Sequence, residues 1–549
     1  MTLSSALRFF YTVRYLKFRQ FFFRFFYRVY NRRIPKKLIS VNIREARFQI
    51  KEFLYHEECL VGPREFFFLN KRGSLDHLGW QGDEVSKLWR YNQHYFDFLK
   101  SNQSTEYADW NTHLMLDWVE NNKPGYGVGW EPYPTSLRIV NWVKWALSGN
   151  KLPDEFVKSL AIQTAWLSSR VEFHILGNHL FSNAKALVYA GLFFEGEQSN
   201  QWLKKGLNLI SAEMNEQVLP DGGHFELSPL YHEIFLEDIL DLINISEIFP
   251  GFVNPKIIDT WKSTAVNMIG WLGVMTHPDG EIALFNDSAF KIAPKPEQLF
   301  EYAKRLSIHS KEPQEISEMT HLSESGYIRV KKNELVMIVD VAKVGPDYLP
   351  GHAHADTLSF ELSLHGLRLF VNGGTSEYGT GEIRQYERST AAHNTVVIDN
   401  ENSSEVWSGF RVARRAYPFN LKMKKTEDGV HIECSHNGYK RFNKDLVHTR
   451  TWNVSNNCLD ISDKVKGRHN MAFAYYHLNT DIKILSHDAY EIILSMKNGK
   501  RVRLNYRGSS IEVIDGFYAP EFGKRIPNQC LKIGLDKLDG ASLQVAWDS

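Results

Sequence analysis

The stretch Gly351-His352-Ala353-His354-Ala355-Asp356-Thr357-Leu358-Ser359-Phe360-Glu361-Leu362-Ser363-Leu364 decides how the chain is read. Leu358, Phe360, Leu362 and Leu364 alternate strictly with Ser359, Glu361 and Ser363. Successive side chains on a strand point to opposite faces, so this period of two predicts a half-buried strand. If strand geometry extends backward, His352, His354 and Asp356 share the face that carries Leu358 and Phe360. Histidines turned toward a core need partners, and either a metal ion or a hydrogen-bonded histidine cluster supplies them.

Downstream of this stretch, His365-Gly366 reads as a turn into Leu367–Val371, and Thr395–Ile398, Val430–Cys434 and Ile482–Leu485 read as further strands. Just upstream, Leu335–Val341 does the same. Residues 321–549 are therefore expected to form an antiparallel β domain, read as a sandwich. Before a polar linker at 306–320 the period changes. Phe235, Ile239, Leu242 and Ile245 recur at steps of three and four, and so do Leu180, Ala184, Leu187 and Gly191, as one helix face requires. Breaks such as Lys123-Pro124-Gly125 punctuate this region, so consecutive helical hairpins are expected over residues 41–305.

With 549 residues, more than one domain is expected. The formal net charge of +1 offers no field that would select nucleic acid. Cys59, Cys434, Cys458 and Cys530 are scattered, with no C-x-x-C pair, which fits reduced thiols in a cytoplasmic protein. No apolar run reaches the roughly 18 residues of a spanning helix. Residues 1–37 carry ten Lys/Arg and no acid, interleaved with aromatics as in Phe21-Phe22-Phe23-Arg24-Phe25-Phe26-Tyr27. The charges interrupt any secretory apolar core. Two readings stand side by side: an interfacial helix on the anionic inner face of a membrane, or a helix docking its aromatic face on the protein itself.

Three clusters carry candidate chemistry. Gly177-Asn178-His179 opens a helical stretch, where Asn178 is well placed to cap the helix. In Asp221-Gly222-Gly223-His224-Phe225-Glu226-Leu227-Ser228-Pro229-Leu230-Tyr231-His232, Ser228-Pro229 is a helix start that puts Tyr231 in the first turn. The positive end of a helix favours a phenolate there. The third cluster joins His352 and His354 to His393, just before another strand. An H-x-H pair with a distant His is a zinc signal of moderate strength.

Together these stretches resemble the heparinase II/III-like polysaccharide lyases, from about Trp89 through Gly129-Trp130-Glu131-Pro132-Tyr133-Pro134-Thr135-Ser136-Leu137-Arg138, Gly177–Ala190, Asp221–His232 and Gly351–Phe360 to about Arg415. The resemblance implies an N-terminal α/α toroid (an incomplete helical barrel) followed by an antiparallel β-sandwich. It implies cleavage of a uronate-containing acidic polysaccharide by β-elimination, in surface or exopolysaccharide metabolism. Asn178 and His179 match the pair that neutralises the uronate carboxylate, Tyr231 the proton donor to the departing oxygen, and His352 the histidine that completes the site. Trp130, Tyr133, Arg138, Glu226 and His232 fall in motifs expected to bind substrate. His354 and His393 match two zinc ligands; Asn372 stands where an Asp is usual, so a more weakly held zinc is expected. Tyr378 and Tyr386 are both candidates for the base. A glycosidase would need two opposed carboxylates, and no pair among Glu131, Glu226 and Asp287 stands out. A uronate C5-epimerase on the same scaffold and a non-catalytic glycan-binding or assembly protein are the alternatives.

Overall fold

The computed structural model describes residues 3–29, 42–48, 50–308 and 318–548. Arg32, Arg33, Lys36 and Lys37 of the basic segment, and most of the expected linker, lie outside the described residues.

The helical domain is built from Lys87–Tyr95, Ala108–Asn121, Pro132–Leu147, Asp154–Ser169, Gly177–Phe193, Glu197–Gln217, Pro229–Ile248, Pro255–Met275 and Pro296–Arg305. Four of these open on proline, whose missing N–H costs nothing in the first turn and whose fixed φ suits it. The Gly177–Phe193 helix packs against Pro132–Leu147, Glu197–Gln217 and Pro229–Ile248, and Leu180, Ala184, Leu187, Leu236 and Ile239 on these helices are fully buried.

The periodicity predicts helical hairpins throughout residues 41–305, but the region is not wholly helical. Leu60–Gly62, Glu65–Phe68 and Lys71–Ser74 form a three-stranded antiparallel sheet. Leu69 and Asn70 both take positive φ, the geometry of a two-residue hairpin turn. The segment lacks the Asn-Gly or Asp-Gly pair that signals such a turn.

The second domain is antiparallel throughout. A five-stranded sheet runs in chain order through Met319–Leu322, Tyr327–Lys332, Leu335–Asp340, Phe360–Leu364 and Leu367–Phe370. An eight-stranded sheet, a four-stranded sheet and a two-stranded ribbon, Val406–Trp407 with Arg411–Val412, complete the described part of the domain. Phe360, Val396, Trp452, Leu504 and Leu531, drawn from the three larger sheets, share one core.

Two details depart from the expected strand. It begins only at Phe360, because Leu358 sits at φ 64° and the residues before it follow no strand. His352, His354 and Asp356 therefore do not line one strand face. Ser359, Glu361 and Ser363 are also fully buried, not solvent-facing. The helical domain covers the last two: His277 Nδ1 bonds Ser363 Oγ at 2.8 Å, and its Nε2 lies 3.1 Å from Glu361 Oε2. Arg368 reaches Asp279 at 2.7 Å, so the two domains meet through paired polar groups.

The basic aromatic segment forms two helices, Leu3–Val13 and Phe18–Val29. It docks on the protein. Tyr27 Oη donates to the Val171 carbonyl (2.6 Å), and Lys17 pairs with Glu216. Arg8 pairs with Glu405, and the Trp407 indole N–H donates to Thr12 Oγ1. The hairpin is thus fastened to both domains.

Candidate active site

A cavity of about 1,060 Å³ opens where the two domains and the N-terminal hairpin meet. Asn178, His179, Glu226, Tyr133 and Tyr231 line it from the helical domain, and His352 and Tyr378 from the β domain.

The Asn178–His179 wall begins at a strained turn. Leu176 and Gly177 have φ of 73° and 56°. A Cβ on Gly177 would fall 2.4 Å from a Leu349 methyl and 2.9 Å from Glu226 Oε1, so only glycine fits. Asn178 is the second helical residue rather than the cap, which is Leu176. Its side chain is thereby released toward the cavity, where Nδ2 donates to Tyr133 Oη at 3.1 Å. His179 lies over the Tyr133 ring at 4.4 Å, with Nδ1 3.2 Å from Glu172 Oε1. Burial works against its protonation, but the carboxylates of Glu172 foremost, then Glu226 and Glu131, together outweigh it and raise the His179 pKa. Glu172 is held in turn by Asn183.

The opposite wall is aromatic. Ser228 caps the helix beginning at Pro229, accepting from the Tyr231 N–H, as its sequence predicts. Tyr231 Oη is 3.0 Å from Tyr378 Oη, and the His352 ring stacks on Tyr231 at 3.8 Å. The expected phenolate bias is absent: burial, then the neighbouring Tyr378, pushes the Tyr231 pKa well above its usual value, outweighing the helix end. Burial does the same to Tyr378. Of the two candidate bases, only Tyr378 lines the cavity; Tyr386 packs on Phe517 instead.

Asp287 organises this wall from behind. It is fully buried and accepts from Arg384 at 2.7 Å through one of two contacts. Its two oxygens also meet His352 Nδ1 at 2.9 Å and His354 Nε2 at 2.8 Å. Burial alone would raise its pKa; Arg384 and the two histidines hold it well below the carboxylate range. On its far side His352 faces Glu226 at 3.5 Å, and burial raises the Glu226 pKa. Asn286 and Leu227 flank these carboxylates at positive φ, a cost typical of functional turns.

His354 and His393 lie behind the cavity wall, with Nδ1 of the first 3.1 Å from Nε2 of the second. His354 Nε2 faces the Asp287 carboxylate, and His393 Nδ1 donates to the Ser389 carbonyl at 2.7 Å. Their hydrogens are committed outward, so with both rings neutral two lone pairs confront each other. Burial, the leading cause for each, lowers their pKa values to about 4 and about 3. Asn372 Oδ1 accepts from the backbone N–H beside His393, and its buried side-chain nitrogen has no partner. Among the described residues no group of three or more His, Cys, Asp or Glu has metal-binding geometry.

Three expected substrate contacts are structural instead. Trp130 is buried, with its indole N–H on the Asn122 carbonyl. Arg138 is fully buried over the Trp118 ring, donating to Gln163 and to the His94 carbonyl. His232 stacks on Trp271 and bonds the Met268 carbonyl, and burial takes its pKa to about 3. Arg138 and His232 follow the core-facing stripe of their helices, which sequence position alone does not separate from the cavity-facing one, and Trp130 ends a short 3-10 turn. Glu172, Asp287 and Arg384 went unassigned at the sequence level; Glu172 meets His179 from seven residues upstream, while Asp287 and Arg384 reach the site from distant segments.

Fold and site define a two-domain protein, a helical toroid closed by a β-sandwich, with its cavity at their junction. The chain belongs to the heparinase II/III-like family: residues 80–313 match the heparinase II/III N-terminus and residues 316–535 the heparinase II/III-like C-terminal domain. It is 28% identical over 362 residues to a heparin-sulfate lyase of Bacteroides stercoris, covering 60% of this chain and 52% of the relative. Against the heparin-sulfate lyase of Bacteroides thetaiotaomicron it is 25% identical over 435 residues, covering 66% and 60%. The chain thus spans roughly half the length of these relatives. In fold it is similar to a crystal structure of heparinase III, with a TM-score of 0.70 at 19% identity over 96% of this chain and 89% of that one. A heparan sulfate lyase mutant from Pedobacter heparinus gives 0.60 at 19% identity over 88% and 81%.

Proposed function

We propose that the protein is a polysaccharide lyase that cleaves a uronate-containing acidic polysaccharide by β-elimination. The observation that carries this reading is the facing of two walls across one cavity: Asn178 and His179 on one, Tyr231, Tyr378 and His352 on the other. Its relatives, named as heparin-sulfate lyases, support the substrate class.

In this reading the uronate carboxylate lies against Asn178 Nδ2 and His179, whose raised pKa favours the imidazolium. These donors stabilise the charge that develops on the carboxylate as the C5 proton leaves; removing one typically costs about 10²–10³ in rate. Both tyrosines hold their protons in the free protein, so a relay fits better than a standing phenolate. The C5 proton passes to Tyr378, the Tyr378 hydroxyl proton to Tyr231, and the Tyr231 proton to O4 as the C4–O4 bond breaks. The electron pair from C5–H forms the C4–C5 double bond, and both phenols end as they began. His352, fixed by Asp287, holds the Tyr231 ring in place by stacking. The test is formation of an unsaturated uronate, followed by its ultraviolet absorbance, on incubation with a panel of acidic polysaccharides.

Zinc between His354 and His393 would satisfy the two opposed lone pairs, with the His354–Asp287 contact orienting the ligand from behind. Bound there, it would brace the loop that carries His352. The hairpin's outward face also supports peripheral contact with an anionic membrane: Phe18 is 81% and Phe25 69% exposed, beside Arg14 and Arg28. Among the described residues no helix is long and apolar enough to cross a membrane. The four free cysteines fit a cytoplasmic setting at the inner face of that membrane, in surface-polysaccharide metabolism. Replacing Phe18, Phe22 and Phe25 by Ser should release the protein from anionic vesicles; unchanged co-sedimentation would end the membrane reading.

A further inference from the structure

The N-terminal hairpin lies outside both stretches that match the family, yet it forms part of the cavity. Thr12, Leu16, Gln20, Phe21 and Arg24 line the same space as Asn178, His179, Tyr231 and Tyr378. Its anchors lie on both lips: Val171 and Glu216 on the helical domain, Glu405 and Trp407 on the β domain. Gln20, on the inner side, is 1% exposed and donates to the Tyr348 carbonyl. The hairpin is a strap laid across the junction.

Its cations are not equivalent. Arg8 and Lys17 are held in ion pairs, while Arg14 and Arg19 lie over aromatic rings. Arg24 has no such partner among the described residues. It lines the cavity together with Arg411 of the β domain, whose guanidinium lies over Trp407. Burial first, then the like charge of Arg411 and of Arg28, lowers the Arg24 pKa. Two cations, one on the hairpin and one on the β domain, line one cavity, and an anion bound by both would relieve their mutual repulsion. Arginine's planar fork suits carboxylate and sulfate oxygens alike.

We propose that the hairpin is a substrate-binding element, and that Arg24 and Arg411 form a subsite for an anionic group on the saccharide, a carboxylate or a sulfate ester, beyond the sugar held at Asn178 and His179. This rests on the reading of the cavity as a saccharide site. The family's two matched domains supply the elimination chemistry; the hairpin adds selection for charge along the chain.

The test uses the full-length protein with Arg24→Ala, Arg411→Ala and Arg24→Lys. Equilibrium binding and steady-state kinetics are measured with size-matched uronate oligosaccharides, sulfated and unsulfated. Each alanine variant should weaken binding and raise KM by about tenfold, the scale of one charged hydrogen bond, with kcat within about twofold. Arg24→Lys should recover part of the loss. A loss confined to sulfated oligosaccharides selects sulfate; an equal loss on both selects carboxylate. Unchanged binding and KM in both alanine variants would overturn the subsite while leaving the lyase reading intact. If the wild type binds but cleaves nothing, and Arg24→Ala weakens that binding, the subsite stands and the lyase reading falls. If the wild type binds neither oligosaccharide, the subsite is overturned.

Discussion

Tyr231, in the first turn of a helix of the helical domain, and Tyr378, from the β domain, bring their phenolic oxygens within 3.0 Å of each other. The bond spans the domain junction and lies on the cavity wall. If the two act as one proton relay, their removal should not be additive. Tyr231→Phe and Tyr378→Phe should each lower turnover by about 10²–10⁴, and the double variant should be little worse than either. Tyr386→Phe should be near normal, since that ring packs on Phe517. Multiplying losses in the double variant would mean that the two tyrosines act separately.

Asp287 accepts from His352, His354 and Arg384 at once. Its folded pKa lies well below the unfolded value, so its contribution to stability is present above about pH 4 and is lost as pH falls through the folded value. Asp287→Asn leaves Arg384 buried without its countercharge and should cost about 3–5 kcal/mol. Denaturant unfolding at neutral and acid pH reads both effects: the variant should be weaker at neutral pH, and its deficit should shrink toward low pH. A deficit that stays constant with pH would remove Asp287 from the acid response.

The His179 pKa is raised because Glu172, with Glu226 and Glu131, outweighs burial. A raised histidine is cationic below its folded pKa, and that charge is lost as pH rises through it. Any stability it adds follows the same course, full below the unfolded value of about 6.5 and lost above the folded one. KM for a uronate substrate should therefore rise on the alkaline side. Glu172→Gln should move that rise to lower pH. An unmoved profile would show that His179 does not carry the charge that meets the carboxylate.

Asn372 is neutral where the resemblance implies Asp. Asn372→Asp would supply a negative oxygen close to His393 and should raise zinc content after purification without chelator, as measured by elemental analysis. His393→Ala should lower it. Zinc in none of the three proteins would favour a metal-free histidine cluster.

The change from a helical to a strand period and the Ser228-Pro229 helix start were legible in the sequence, because each depends on local chemistry; local chemistry made Asn178 a helix cap, which it is not, and only the family resemblance pointed to the Asn178-His179 pair. What escaped was nonlocal. Glu361 alternates as a solvent-facing residue should, but the helical domain buries it against His277 and Arg368. Arg138 and His232 sit in motifs beside site residues and turn inward, one helix step from the cavity-facing stripe. Asp287 gave no signal on its own, since its partners are 65, 67 and 97 residues away. The aromatic hairpin carried charge enough for a membrane, and only its contacts with Val171 and Glu405 place it over the cavity.

Elimination differs from hydrolysis and epimerisation in its product. Wild-type protein is incubated with uronate polysaccharides in heavy-oxygen water, and the fragments are analysed by mass spectrometry and ultraviolet absorbance. The expected result is an unsaturated uronate at the new non-reducing end and no oxygen taken from water, with both signals falling together in Tyr231→Phe. Saturated fragments carrying heavy oxygen, or an uncleaved chain with inverted C5, would contradict the lyase reading.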